Sequence, residues 1–139
     1  MAATLASDKV CDGIATDHSG VLMHGPTFMA NPLACAVATA SIRLLLSQDW
    51  QQKIHAIEHQ LDLELKPLMD SPAVADIRVL GAIGVVEMKT PVDMAGIQQQ
   101  FVDRGVWIRP FGKLIYLMPP YIIEPEDLSR LTGAIADVI

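Results

Sequence analysis

Between Asp49 and Leu68, apolar residues recur at Ile54, Ile57, Leu61, Leu65 and Leu68, three or four positions apart, with charged and polar residues between them. That is the period of an α-helix with a single apolar stripe, and such a stripe has to be buried against another element. After Pro72 breaks the pattern, two β-rich runs follow, Asp76 to Leu80 and Ile83 to Met88, divided by Gly81-Ala82. A helix met directly by paired strands predicts an α+β fold, with long helices on one face of a small, mostly antiparallel sheet.

The flanking segments extend this plan. Residues 7 to 15 read as a short helix with Ser7 as N-cap, ending near Gly13 and followed by a polar loop through Asp17, His18, Ser19 and Gly20. Asn31 before Pro32 marks a stronger helix start, and Leu33 to Leu46 predicts a long helix whose Ala34, Ala36, Ala38 and Ala40 suit close packing. Val92 to Arg104 returns to helical spacing, with Gly105 as its stop. Val106 to Arg109 and Leu114 to Met118 are expected as a strand pair joined by Pro110 to Lys113. Glu124-Pro125-Glu126-Asp127 then opens a last helix running through Ile135.

Composition narrows the class. With 51% hydrophobic and 19% charged residues in 139, the chain has ample apolar side chain for a core, which argues against disorder. Mean hydropathy is positive, yet runs such as Ile42 to Leu46 and Ala82 to Val86 fall far short of a bilayer span, so no membrane crossing is expected. A net charge of -6 without clustered Lys and Arg argues against a nucleic-acid partner. Cys11 and Cys35 form neither a metal pattern nor a disulfide framework. They are expected to be buried structural thiols in a reducing, cytoplasmic setting, and the first seven residues carry no secretory signal. His55 and His59 have metal-compatible spacing, but no H-E-x-x-H glutamate accompanies them, and a solvated helix face is the better reading.

Three places carry residue types suited to ligand chemistry. Arg109 ends an apolar run, Val106-Trp107-Ile108, just before a proline, and its planar fork can hold a carboxylate through two parallel hydrogen bonds. From position alone, an ordinary surface or internal ion pair is the favoured reading of an arginine at a strand end. Tyr116 lies in the partner run and offers an apolar ring with a hydroxyl, although strand packing alone accounts for a tyrosine there. His24-Gly25-Pro26-Thr27 joins a hydroxyl, a flexible glycine and main-chain N–H groups ahead of a helix, a combination that can hold phosphate; as turn residues they need no ligand.

Taken together, HGPTFMANPLAC from His24 to Cys35, VLGAIGVVEM from Val79 to Met88 and GVWIRPFGKLIYLMPPY from Gly105 to Tyr121 resemble the adenosylmethionine-8-amino-7-oxononanoate aminotransferases of biotin synthesis. The likeness runs over essentially the whole chain in order. It implies the C-terminal small domain of a fold-type I, pyridoxal-phosphate-dependent homodimer that moves an amino group from S-adenosylmethionine to 8-amino-7-oxononanoate, giving 7,8-diaminononanoate. By that resemblance Arg109 matches the arginine that anchors substrate carboxylate, Tyr116 an active-site tyrosine and Gly25 a substrate-contacting glycine. Pro26 and Thr27 match the pair that reaches the cofactor phosphate of the other subunit.

The resemblance also implies what is not here. In the family the Schiff-base lysine lies in a large N-terminal domain, just before the position where this chain begins, and none of Lys9, Lys53, Lys66, Lys89 or Lys113 matches it. No catalytic residue is therefore assigned, and the chain alone is expected to be inactive. Residues 1–45 are expected to be the edge of the large domain with its connecting helix, and residues 46–139 the small domain. The alternative is a non-catalytic module that binds a ligand or partner.

Overall fold

A computed structural model describes residues 2–16, 20–21 and 23–139; the polar loop expected at Asp17, His18 and Ser19 falls largely outside them. The chain divides into two compact units, Met1–Gln48 and Asp49–Ile139.

The first unit holds α1 (Asp8–Ala15) and α2 (Pro32–Leu46). Ser7 precedes α1 in extended conformation, without a side-chain cap bond. The start of α2 follows its sequence signal closely. Pro32 takes the first helical position, where its missing N–H costs nothing, and the Asn31 side chain accepts a hydrogen bond from the Ala34 N–H at 3.0 Å. No described residue of this unit is buried. That overturns the expectation for the cysteines: Cys11 is exposed and Cys35 half-buried, in two helices none of whose residues is buried.

The second unit runs α3 (Trp50–Leu65), a 3-10 turn (Lys66–Asp70), β1 (Val74–Leu80), β2 (Ile83–Met88), α4 (Met94–Asp103), β3 (Leu114–Leu117) and α5 (Pro125–Ala136). Asp49 caps α3 by accepting from the Gln52 N–H, and the predicted stripe goes inward at Ile57, Leu61 and Leu65. The helix ends three residues sooner than its apolar spacing suggests. Pro67 has no N–H to continue the ladder, so the backbone tightens into the 3-10 turn while Leu68 still packs on the core.

The three strands form one antiparallel sheet in the order β1-β2-β3. Leu80 pairs with Ile83 across Gly81-Ala82, a turn for which Gly81 adopts φ +54°, and the Gly81 N–H donates to Glu58 Oε1 of α3 at 2.9 Å. Helix α3 lies directly over β2: a Cβ added to Gly84 would stand 2.8 Å from Leu65 Cδ1. Helix α4 closes as Gly105 (φ +73°) donates to the Val102 carbonyl and Val106 to that of Phe101, the Schellman pattern. Phe101, Leu61, Leu65, Ile115, Leu128 and Ile135 are fully buried at the centre of the core. The fold is α+β, as expected, with helices on one face of a small antiparallel sheet.

One expected strand is absent. Val106 to Arg109 is extended, with burial alternating residue by residue as far as Phe111, but its pairing is confined to the Phe111–Leu114 bridge. Pro110 holds φ near -65°, far from the roughly -140° of an antiparallel strand, and the pairing stops there.

Candidate functional site

The sheet has a covered face and an open one, and β-strand alternation assigns each residue to one of them. Val86, Met88, Ile115 and Leu117 point to the core. On the other face two rows cross the sheet: Arg78 pairs with Val85 and Val85 with Tyr116, while Asp76 pairs with Glu87 and Glu87 with Leu114. Phe111 and Leu114 exchange both backbone hydrogen bonds at 2.8 Å, so their side chains leave on the same face as Tyr116, two residues further along β3. Arg109 shares its parity with Phe111 and Trp107, and all three are exposed, whereas Val106, Ile108 and Pro110 are buried.

The open face thus carries Tyr116 and, through the bridge to Leu114, the Phe111 ring, while Trp107 and Arg109 are exposed in the unpaired segment before Pro110, Trp107 being 71% and Phe111 72% exposed. Charge pairing separates Arg109 from its counterparts in the unit. Arg78 is bridged by Asp76 at 2.6 Å and Glu87 at 2.7 Å, Arg104 meets Asp137 at 3.6 Å and Arg130 meets Asp127 at 3.4 Å. Among the described residues Arg109 makes no such pair. The ordinary ion pair that its position also allowed is not made among the described residues, and Arg109 is exposed.

The Asp76–Arg78–Glu87 bridge had no place in the sequence reading. The two carboxylates hold the Arg78 guanidinium above its usual range by hydrogen bonding, Glu87 contributing most. Its charge is spent within the sheet. The only sequence signal was an i, i+2 acid–base pair on a strand, which acquires meaning once β2 is in register beside it.

Gly25, Pro26 and Thr27 lie in the first unit, exposed, with Gly25 just ahead of two consecutive turns that begin at Pro26 and Phe28. The Met29 N–H donates to the Pro26 carbonyl at 2.9 Å and the Asn31 N–H to that of Phe28 at 3.2 Å. Ala30 adopts φ +54°, the left-handed region that residues with a Cβ rarely occupy. Among the described residues neither the Thr27 N–H nor its hydroxyl has a partner, and the Phe28 N–H has none either. Donors left free at a turn suit an anionic oxygen. His55 Nδ1 meets Glu58 at 3.3 Å, on an exposed helix face.

The whole chain, residues 1–139, matches the family model described as aminotransferase class-III. Among curated relatives, the adenosylmethionine-8-amino-7-oxononanoate aminotransferase of Buchnera aphidicola subsp. Acyrthosiphon pisum is 52% identical over 139 residues, covering 100% of this chain and 32% of the relative. Among solved structures, an (S)-enantioselective omega-transaminase from Thermomicrobium roseum superposes with a TM-score of 0.79 at 26% identity, covering 95% of this chain and 32% of that one. An amine transaminase from an uncultivated Pseudomonas species, solved in its PLP-bound form, gives 0.77 at 25% identity, covering 93% and 32%. The chain thus spans about a third of the length of the relatives it matches.

Proposed function

Because the chain belongs to the class-III aminotransferase family, we propose that it is the C-terminal part of a pyridoxal-phosphate-dependent aminotransferase. The reaction we assign to the whole protein converts 8-amino-7-oxononanoate to 7,8-diaminononanoate with S-adenosylmethionine as amino donor. The observation that carries this reading is Arg109, exposed and unpaired among the described residues in a unit whose other arginines each have a carboxylate. A guanidinium held without an internal partner is set to take a carboxylate from outside, and 8-amino-7-oxononanoate brings one at the end of an aliphatic chain. Tyr116 would offer that chain an apolar ring and a hydroxyl, with the Phe111 ring on the same face of the sheet. Arg78 does not compete, its charge being satisfied by Asp76 and Glu87.

The cofactor would be held at its phosphate end by Thr27, through its hydroxyl and N–H, and by the Phe28 N–H; Pro26 fixes the turn and Gly25 keeps the substrate side free of a Cβ. Those free donors fit a phosphate. When bound, pyridoxal phosphate supplies the electron sink for amino transfer. In a homodimer, Pro26 and Thr27 would serve the phosphate of the neighbouring subunit. Residues 1–45 would be the edge of the large domain and 46–139 the small domain, in a cytoplasmic enzyme.

The test is titration of 8-amino-7-oxononanoate against a full-length form of the enzyme and its Arg109→Ala variant. Loss of a charge-assisted carboxylate contact should weaken binding by about tenfold or more. Equal affinity would remove Arg109 from the site. The 139-residue chain alone should form no covalent pyridoxal phosphate adduct; a borohydride-reduced adduct mapped to one of its lysines would overturn that part of the reading.

A further inference from the structure

Arg109 sits between two buried neighbours. Ile108 before it is 2% exposed and Pro110 after it is among the fully buried side chains, while Arg109 itself is exposed. The extended segment is fastened at its ends, where the Val106 N–H donates to the Phe101 carbonyl at 3.0 Å and Phe111 exchanges hydrogen bonds with Leu114 at 2.8 Å. Between those points Trp107, Ile108, Arg109 and Pro110 make no backbone–backbone hydrogen bond among the described residues. A strand residue has its backbone fixed by ladder pairing, and Arg109 lacks that support.

Pro110 supplies a substitute. Its Cδ clashes with an α-helical conformation of the preceding residue, so Arg109 is confined to the extended region, where its side chain leaves on the side opposite to those of Ile108 and Pro110. The pyrrolidine ring is itself buried in the core, which ties this constraint to the scaffold of the second unit. A guanidinium on a long side chain gains from it, because a planar fork meets a carboxylate through two parallel bonds only when its root is held to within about 0.5 Å.

We infer that Pro110 is a positioning residue for the carboxylate contact assigned to Arg109: its ring restricts the Arg109 backbone and replaces the strand pairing that the segment lacks. The inference rests on the carboxylate reading of Arg109 given above and extends it to a buried residue that acts through its neighbour.

Pro110→Val tests it, since valine keeps a buried apolar side chain of similar size and frees the Arg109 backbone. In the 139-residue chain the NMR order parameter of the Arg109 backbone N–H should fall from about 0.85 to below about 0.7, with that of Leu117 in the paired strand unchanged. In a full-length form of the enzyme the Kd for 8-amino-7-oxononanoate should rise about five- to tenfold, while that for its terminal carboxamide, which carries no charge to pair, should stay within about twofold. In the Arg109→Ala background Pro110→Val should add no further loss, whereas a general structural role would add the same factor in both backgrounds. Pro110→Ala is read the same way and covers the case in which valine does not pack. An unchanged order parameter, an equal added loss in the Arg109→Ala background, or an unchanged Kd where Arg109→Ala itself weakens binding would each overturn the inference. Arg109→Ala binding as tightly as the unsubstituted enzyme would instead remove the carboxylate reading, and the positioning role with it.

Discussion

Thr132 of α5 donates its hydroxyl hydrogen to the carboxylate of Glu64 on α3, joining two helices 68 positions apart in the sequence. Ser129 Oγ donates to the same carboxylate at 2.7 Å and Gln60 Nε2 at 3.0 Å. Burial by itself pushes the Glu64 carboxyl up, but the hydrogen bonds from Ser129, Thr132 and Gln60 together outweigh it and hold the group below its ordinary value of 4.5. A depressed carboxyl stabilises the fold above the unfolded value and loses that contribution as pH falls through the folded one. The thermal midpoint of residues 49–139 should therefore drop as pH falls from about 5 to about 3, and Glu64→Gln should flatten that part of the curve. A profile unchanged in the variant would show that the clasp contributes nothing.

Glycine at 84 is required by packing. Its missing Cβ leaves room for Leu65 Cδ1 and Leu61 Cδ2, which would lie 2.8 and 3.2 Å from it. Both leucines are fully buried, so neither can swing to solvent. Gly84→Ala should cost about 1–3 kcal/mol in urea denaturation. A loss under half a kcal/mol would mean that α3 can lift from the sheet.

Gly105 is required by conformation instead. At φ +73° it closes α4, and the nearest atom to an added Cβ is Arg130 Nη2, at 3.7 Å, so space is not the obstacle. Gly105→Ala should destabilise by about 1–2 kcal/mol through the left-handed backbone alone, and Gly105→Asn by less. Equal losses for Ala and Asn would point to packing.

Arg109 should separate stability from binding. It is exposed and unpaired among the described residues, so Arg109→Ala should shift the unfolding free energy by no more than about 0.5 kcal/mol. A large loss of stability would reveal a structural role and weaken the case for a carboxylate site.

Much of the fold could be read locally. The stripe at Ile57, Leu61 and Leu65, the Asn31-Pro32 start of α2, the Gly81 turn and the Gly105 stop each follow from chemistry within a few residues. The misreadings have physical causes as well. Pro67 ended α3 before the apolar spacing did, because a missing N–H acts on the backbone whatever the side chains prefer. Val106 to Arg109 has the composition of a strand, yet the fixed φ of Pro110 stops its pairing at Phe111. Cysteine is a type usually found inside, but a thiol is buried only where the fold covers its helix, and Cys11 is exposed and Cys35 half-buried.

Residue order along the chain thus determined the elements, their caps and the kinds of side chain available for carboxylate and phosphate. Which arginine of the second unit stays unpaired among the described residues was decided by tertiary structure alone. Arg78 and Arg109 look alike in sequence, each ending or crossing an apolar strand run. Register places Glu87 across from Asp76 and both within reach of Arg78, while among the described residues no carboxylate meets Arg109. Ion pairing depends on distances across strands, which local spacing does not encode, and that is why the open face became visible only once the sheet was assembled.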